Sequence, residues 1–223
     1  MTIILIAICS LVSLIGFRDQ AFFQRFSFWM APLQHQQQQY RIITSGFLHV
    51  DFAHLAFNMF SLYIFGEELE WALGYIQYSL LAIVSLLGGN LVSLWIHRNN
   101  PHYRAVGASG MVSGLIFSAI ILFPDIRLGI IFLPIFIPGW IFGLLFVGIS
   151  IFGMQAQRDN IGHEAHLGGA IAGLLYTLAI RPQAALAHWP QVLLLLIPSL
   201  VLFYGAVFQP QWFTQMKNRS KRF

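Results

Sequence analysis

The chain has 223 residues, of which 57% are hydrophobic and only 9% charged; its formal net charge is +4 and its mean hydropathy +0.70. A soluble domain carries about 25% charged residues, so this composition excludes one and points to an integral membrane protein. The length accommodates about six or seven membrane-crossing helices of about 20 residues with short connections, and no separate soluble domain is expected beside them. The opening run "MTIILIAICSLVSLIGF" lacks a basic leader and a small-residue cleavage site, so it reads as an uncleaved first span over about 2–17. It contains the single Cys9, which excludes an internal disulfide.

Residues 18–48 mix aromatics, arginine and a glutamine run; they are too polar to cross a bilayer and suit a segment lying in its interface. A second span is predicted over about 52–66 with Asp51 as its N-cap, closed by an acidic turn "GEELEWALG" at 66–74. A third covers about 75–96, followed by the polar loop "HRNNPHYR". The fourth begins near Gly107 and ends before Pro124. Pro134 and Pro138 predict a loop or re-entrant stretch over 126–138. A fifth span follows over about 139–154, the loop "QRDNIGHE" over 157–164, a sixth span over about 165–181 and a seventh over 192–208. The basic tail "KNRSKRF" at 217–223 reads as a juxtamembrane anchor at anionic headgroups, not as a nucleic-acid contact.

Polar side chains inside hydrocarbon are costly, so each marks a functional hypothesis. His54 and Asn58, four residues apart, share a helix face. Ser109 opens the fourth span and His166 the sixth. Gly110 and Gly114, like Gly169 and Gly173, form small-residue faces that let helices approach closely. The two helices enter from the same side of the membrane, two spans apart, so Ser109 Oγ and His166 can meet. A serine hydroxyl needs an adjacent base to become a nucleophile, and His166 can supply it. Asn58, His54 and the Ser109 backbone N–H are the donors available to an oxyanion. No acidic residue is placed to orient His166, so the residues point to a dyad. Gly107-Ala108-Ser109-Gly110 differs from the G-x-S-x-G elbow of α/β-hydrolases.

These motifs resemble those of rhomboid intramembrane serine proteases. G-x-S-G matches Gly107-Ala108-Ser109-Gly110; A-H-x-x-G-x-x-x-G matches Ala165, His166, Gly169 and Gly173; H-x-x-x-x-H-x-x-x-N matches His49, His54 and Asn58. A loop arginine and a turn glutamate with its glycine match Arg41, Glu70 and Gly74. The resemblance implies an all-α membrane protein with a six-helix core over 1–181, joined over 182–223 to the seventh helix and the tail. It implies Ser109 as nucleophile, His166 as base, and His54, Asn58 and the Ser109 amide as oxyanion hole. Gly107, Gly110, Gly114, Gly169 and Gly173 are assigned to helix packing, and Arg41 and Glu70 to loop structure. The implied partners are single-pass membrane protein substrates and the lipid bilayer, with no nucleic acid, metal or other cofactor. The sequence departs from the family where a tyrosine often follows the serine by four positions; here Ser113 stands there.

Two other classes compete. One is a silent rhomboid relative that binds and escorts membrane proteins; the other is a metal or haem site built from His49, His54, His163 and His166. His35, His97, His102 and His188 fall in loops and read as solvated. Lys and Arg counting is split: if 192–208 crosses, ten of the twelve lie on the active-site side, which by itself would make that side cytoplasmic. Without that crossing the count is even. The resemblance implies instead a bacterial inner membrane with the site opening to the non-cytoplasmic side.

Overall fold

A computed structural model describes residues 1–130, 133–156 and 162–208. The loop at 157–161 and the tail at 217–223 lie outside the described residues. The fold is mostly helical. In chain order it comprises α1 (Thr2–Arg18), α2 (Gln20–Phe26), β1 (Phe28–Trp29), α3 (Met30–His35), α4 (Arg41–Thr44), α5 (Phe52–Leu73) and α6 (Tyr75–Ile96). There follow β2 (Arg104–Ala105), α7 (Ser109–Leu122), β3 (Arg127–Ile130), β4 (Leu133–Pro138), α8 (Gly139–Ala156), α9 (His163–Ile180), α10 (Pro182–Ala187) and α11 (Trp189–Phe208). Of these, α6 is long and apolar enough by itself to cross a membrane, while Thr2–Arg18, Ser109–Leu122, Gly139–Met154 and Trp189–Gly205 are shorter apolar helices.

Three elements differ from the sequence reading. The acidic stretch at 66–74 is not a turn: α5 continues to Leu73, because Glu, Leu, Trp and Ala tolerate helix well and the first true breaker is Gly74, at φ +79. Glu70 is therefore helical, in the last turn. Residues 127–130 and 133–138 pair as the antiparallel strands β3 and β4, with Arg127 opposite Pro138 and Leu128 opposite Ile137; an isoleucine-rich run favours strand. The segment 18–48, for which the sequence named no elements, is built of short helices and β1, which pairs with β2 through Phe28 opposite Ala105 and Trp29 opposite Arg104. Finally α9 starts at His163, so that residue is helical and buried rather than part of the loop expected over 157–164.

Helices α6, α7 and α9 form the centre. Their approach is set by glycine. A Cβ on Gly169 would lie 2.0 Å from Gly110 O, one on Gly173 2.5 Å from Gly114 Cα, and one on Gly88 2.3 Å from Ala172 Cβ. Small residues are what allow helices to pack where lipid supplies no hydrophobic drive between them. Hydroxyls then join the same helices: Thr177 Oγ1 lies 2.8 Å from Ser118 Oγ, which donates to Gly114 O at 2.7 Å. The core is completed by Leu62, Leu69, Leu81, Met111, Leu115, Phe117, Leu167 and Leu174.

The outside is the reverse of a soluble protein's. Phe52, Trp71, Ile76 and Phe152 are each more than 70% exposed, and exposed leucine, isoleucine and phenylalanine recur along α1, α5, α6, α8 and α11. A surface so continuously apolar needs a non-aqueous surrounding.

Candidate active site

Two backbone features bring the chain to Ser109. Gly107 takes φ +132, a region open to glycine, and its N–H donates to Ser45 O at 3.0 Å. Ala108 N–H then donates to His49 Nε2 at 3.4 Å. With Nε2 accepting, His49 carries its proton on Nδ1, 2.9 Å from Ser13 Oγ, and Ser13 donates to Phe47 O at 3.1 Å. His49 is fully buried in the loop before α5, and burial depresses its pKa to about 3. It is a neutral tether between α1 and the approach to Ser109.

Ser109 is the first residue of α7 and His166 lies in the first turn of α9. Ser109 Oγ and His166 Nε2 are 2.7 Å apart, at the end where Gly110 and Gly169 hold the two helices together. His54 is on α5, and its ring covers Gly107: a Cβ there would be 2.7 Å from Cε1 and 2.9 Å from Nε2 of His54, and 3.7 Å from Ser109 Oγ. Asp51 caps α5 by accepting the His54 N–H at 2.7 Å. Asn58 is buried one turn further on, with Nδ2 donating to His54 O at 3.0 Å. Serine, imidazole and a second imidazole thus surround one point, with the buried amide a turn below. Gly107 serves as the floor beneath His54 rather than as a helix-packing glycine, whereas Gly110, Gly114, Gly169 and Gly173 sit at helix contacts. Among the described residues, no three His, Cys, Asp or Glu side chains are grouped to hold a metal ion.

Residues 36–183, well over half of the chain, match the Rhomboid domain. The chain belongs to the rhomboid family. It is similar to "Rhomboid protein 1, mitochondrial" of Saccharomyces cerevisiae, 33% identical over 138 residues that cover 60% of this chain and 40% of the yeast protein. It is also similar to "RHOMBOID-like protein 12, mitochondrial" of Arabidopsis thaliana, 30% identical over 63% of this chain and 46% of the plant protein. "Inactive rhomboid protein 1" of Drosophila melanogaster matches at 27% identity over 77% of this chain and 12% of the fly protein. The matches thus span less than half the length of these relatives. Rhomboid proteins are membrane-embedded and generally intramembrane serine proteases. The relatives are mitochondrial or otherwise eukaryotic, which gives no support to the bacterial inner membrane expected from the sequence.

In this rhomboid, Ser113 donates to Ser109 O at 2.7 Å and stays within its own helix. An aromatic ring does reach His166, but from another element: Phe146 of α8 lies at a centroid distance of 6.1 Å and a tilt of 31°. The sequence reading missed Phe146, because one phenylalanine in an apolar helix carries no distinguishing signal. Arg41 is buried and donates to Gln38 Oε1 and Gln24 O at 2.7 Å and Ser27 O at 2.8 Å, fastening the segment between α1 and α5. Glu70 accepts from Thr2 N–H at 2.8 Å and Thr2 Oγ at 2.7 Å, tying α5 to α1 at the opposite end.

The reading also passed over Glu164 and misjudged His97. Glu164 is buried two residues before His166, where it accepts from the Tyr103 hydroxyl and lies 3.1 Å from His97 Nε2. Burial and the Glu164 charge raise the Tyr103 phenol pKa. His97 is stacked on Tyr103 at 3.6 Å, not simply solvated. A carboxylate beside a span histidine was the available signal.

Proposed function

We propose that this rhomboid is an intramembrane serine endopeptidase that cuts single-pass membrane proteins in or near their membrane-spanning segment. The observation that carries the reading is the 2.7 Å contact between Ser109 Oγ and His166 Nε2 at two glycine-packed helix ends. In this mechanism Ser109 Oγ attacks the scissile carbonyl carbon as its proton passes to His166 Nε2. The oxyanion is met by the Ser109 backbone N–H, the His54 ring and the Asn58 amide, donors fixed before the charge develops. His166 returns the proton to the leaving amine nitrogen, which releases the C-terminal product and leaves an acyl-serine. Water attacks that ester while His166 takes its proton, and transfer of the proton back to Ser109 Oγ frees the N-terminal product.

The core over 1–181 would place six helices across the bilayer, with α11 as a seventh and the site opening to the non-cytoplasmic side. No cofactor enters this chemistry. The test is cleavage of a single-pass reporter in proteoliposomes. Wild type should cut, Ser109→Ala should not, and EDTA should change nothing. Loss of activity to EDTA would overturn the serine mechanism. A folded wild type that binds membrane proteins without cutting any would favour a silent, escorting role instead.

A further inference from the structure

Glu164 is a buried carboxylate that the hydrolytic steps do not use. It sits 6% exposed at the second position of α9, and taking a carboxylate out of water costs several kcal/mol that its partners must repay. Those partners both belong to one segment. The Tyr103 hydroxyl donates to Glu164 Oε1, and His97 Nε2 lies 3.1 Å from the same oxygen. The two rings are stacked nearly parallel, 7° apart, so the carboxylate grips both ends of the 97–103 turn at once. Apolar residues of similar volume would give comparable stability at a position like this; what the carboxylate adds is a fixed geometry.

The segment it grips leads directly to the nucleophile. Tyr103 O accepts from Met30 N–H at 3.1 Å, the next two residues pair with β1, and Ser109 follows four positions after Ala105. On the other side, Glu164 and His166 share the first turn of α9, so whatever fixes the carboxylate fixes the start of the helix that carries the imidazole. We infer that Glu164 is a positioning residue whose bridge to His97 and Tyr103 keeps the Ser109 segment in register with His166. The inference rests on the protease reading, since register matters only if the two groups exchange a proton. A misplacement of about 1 Å can cost on the order of 100-fold in rate.

The test uses Glu164→Gln and Tyr103→Phe in the full chain, reconstituted in proteoliposomes. Three quantities are read: the rate constant for labelling of Ser109 by a fluorophosphonate, kcat and KM for reporter cleavage, and amide exchange over 97–109. Both variants should slow labelling and kcat about tenfold or more with KM within about twofold, and amides of 104–109 should exchange faster. The double variant should be no slower than the worse single one, because the two changes cut the same link. Tyr103→Phe removes one hydroxyl oxygen, so it reports even if Glu164→Gln does not fold. Wild-type labelling and cleavage rates in a variant with a lowered melting temperature would overturn the inference and leave Glu164 a stabilising group. If wild type neither labels nor cuts, the protease reading fails, and exchange still decides the bridge: unchanged amides at 104–109 overturn it, and faster ones uphold it.

Discussion

Gly107 combines a positive φ of +132 with the His54 ring, 2.7 Å from where a Cβ would stand. Gly107→Ala therefore strains the backbone and pushes His54 at once, and both effects fall beside Ser109. Labelling of Ser109 should drop about tenfold or more, against a strain cost of roughly 1–3 kcal/mol in stability; labelling at the wild-type rate would show that His54 is not needed where it lies. Phe146 is the second residue whose role is local. Its ring is half-buried and tilted 31° to His166, as a support for the imidazole from α8 where Ser113 cannot provide one. Phe146→Ala should lower kcat about tenfold with KM nearly unchanged, and Phe146→Tyr should keep most of it. Equal losses in kcat for the alanine and tyrosine variants would count against ring support.

At the scale of elements, the α7–α9 contact has no slack. Gly169 faces Gly110 O at 2.0 Å and Gly173 faces Gly114 Cα at 2.5 Å, measured from an added Cβ, and in both cases the obstacle is backbone that cannot rotate away. Gly169→Ala and Gly173→Ala should each destabilise by on the order of 1–3 kcal/mol, as overpacking does, seen as a lower thermal midpoint in detergent. Gly169→Ala should also depress Ser109 labelling more than Gly173→Ala does, because Gly169 lies one turn from His166 and Gly173 two. Gly148, with nothing within 4 Å of an added Cβ, is the control: Gly148→Ala should leave labelling unchanged and should not lower the thermal midpoint, since alanine favours helix over glycine. Both small-residue faces were legible from the four-residue spacing alone. The hairpin β3–β4 was not, because prolines at 134 and 138 fit a loop as well as strand positions, and only pairing partners distinguish them.

Across the whole molecule, stability should depend on pH through His49. Its imidazole is held neutral, with the pKa depressed from 6.5 to about 3 chiefly by burial. The folded state then binds fewer protons than the unfolded chain at acid pH. This contribution is complete above about pH 6.5 and is lost as pH falls from there toward 3, by up to about 1.4 kcal/mol per pH unit. His49→Gln should lower stability at neutral pH and flatten that acid limb in thermal melts between pH 7 and 5; an unchanged slope would assign the acid dependence to other groups. The tether joins α1, the loop before α5 and the approach to Ser109, so its loss should be felt across elements distant in sequence.

Composition by itself determined that this is a membrane chain, since 9% charge over 223 residues cannot cover a water-facing surface. Motif order singled out Ser109, His166, His54 and Asn58, because hydroxyl, imidazole and amide groups inside apolar runs are too costly to be incidental. Glycine spacing foretold which helix faces are small. Tertiary structure alone decided how these features meet. It put Ser109 Oγ within 2.7 Å of an imidazole 57 positions away, brought one of α8's ordinary phenylalanines beside that imidazole, and stacked His97, read as solvated, on Tyr103. The reason is physical: periodicity and composition act over neighbouring residues, whereas a buried carboxylate such as Glu164 finds its partners only when separate helices have packed.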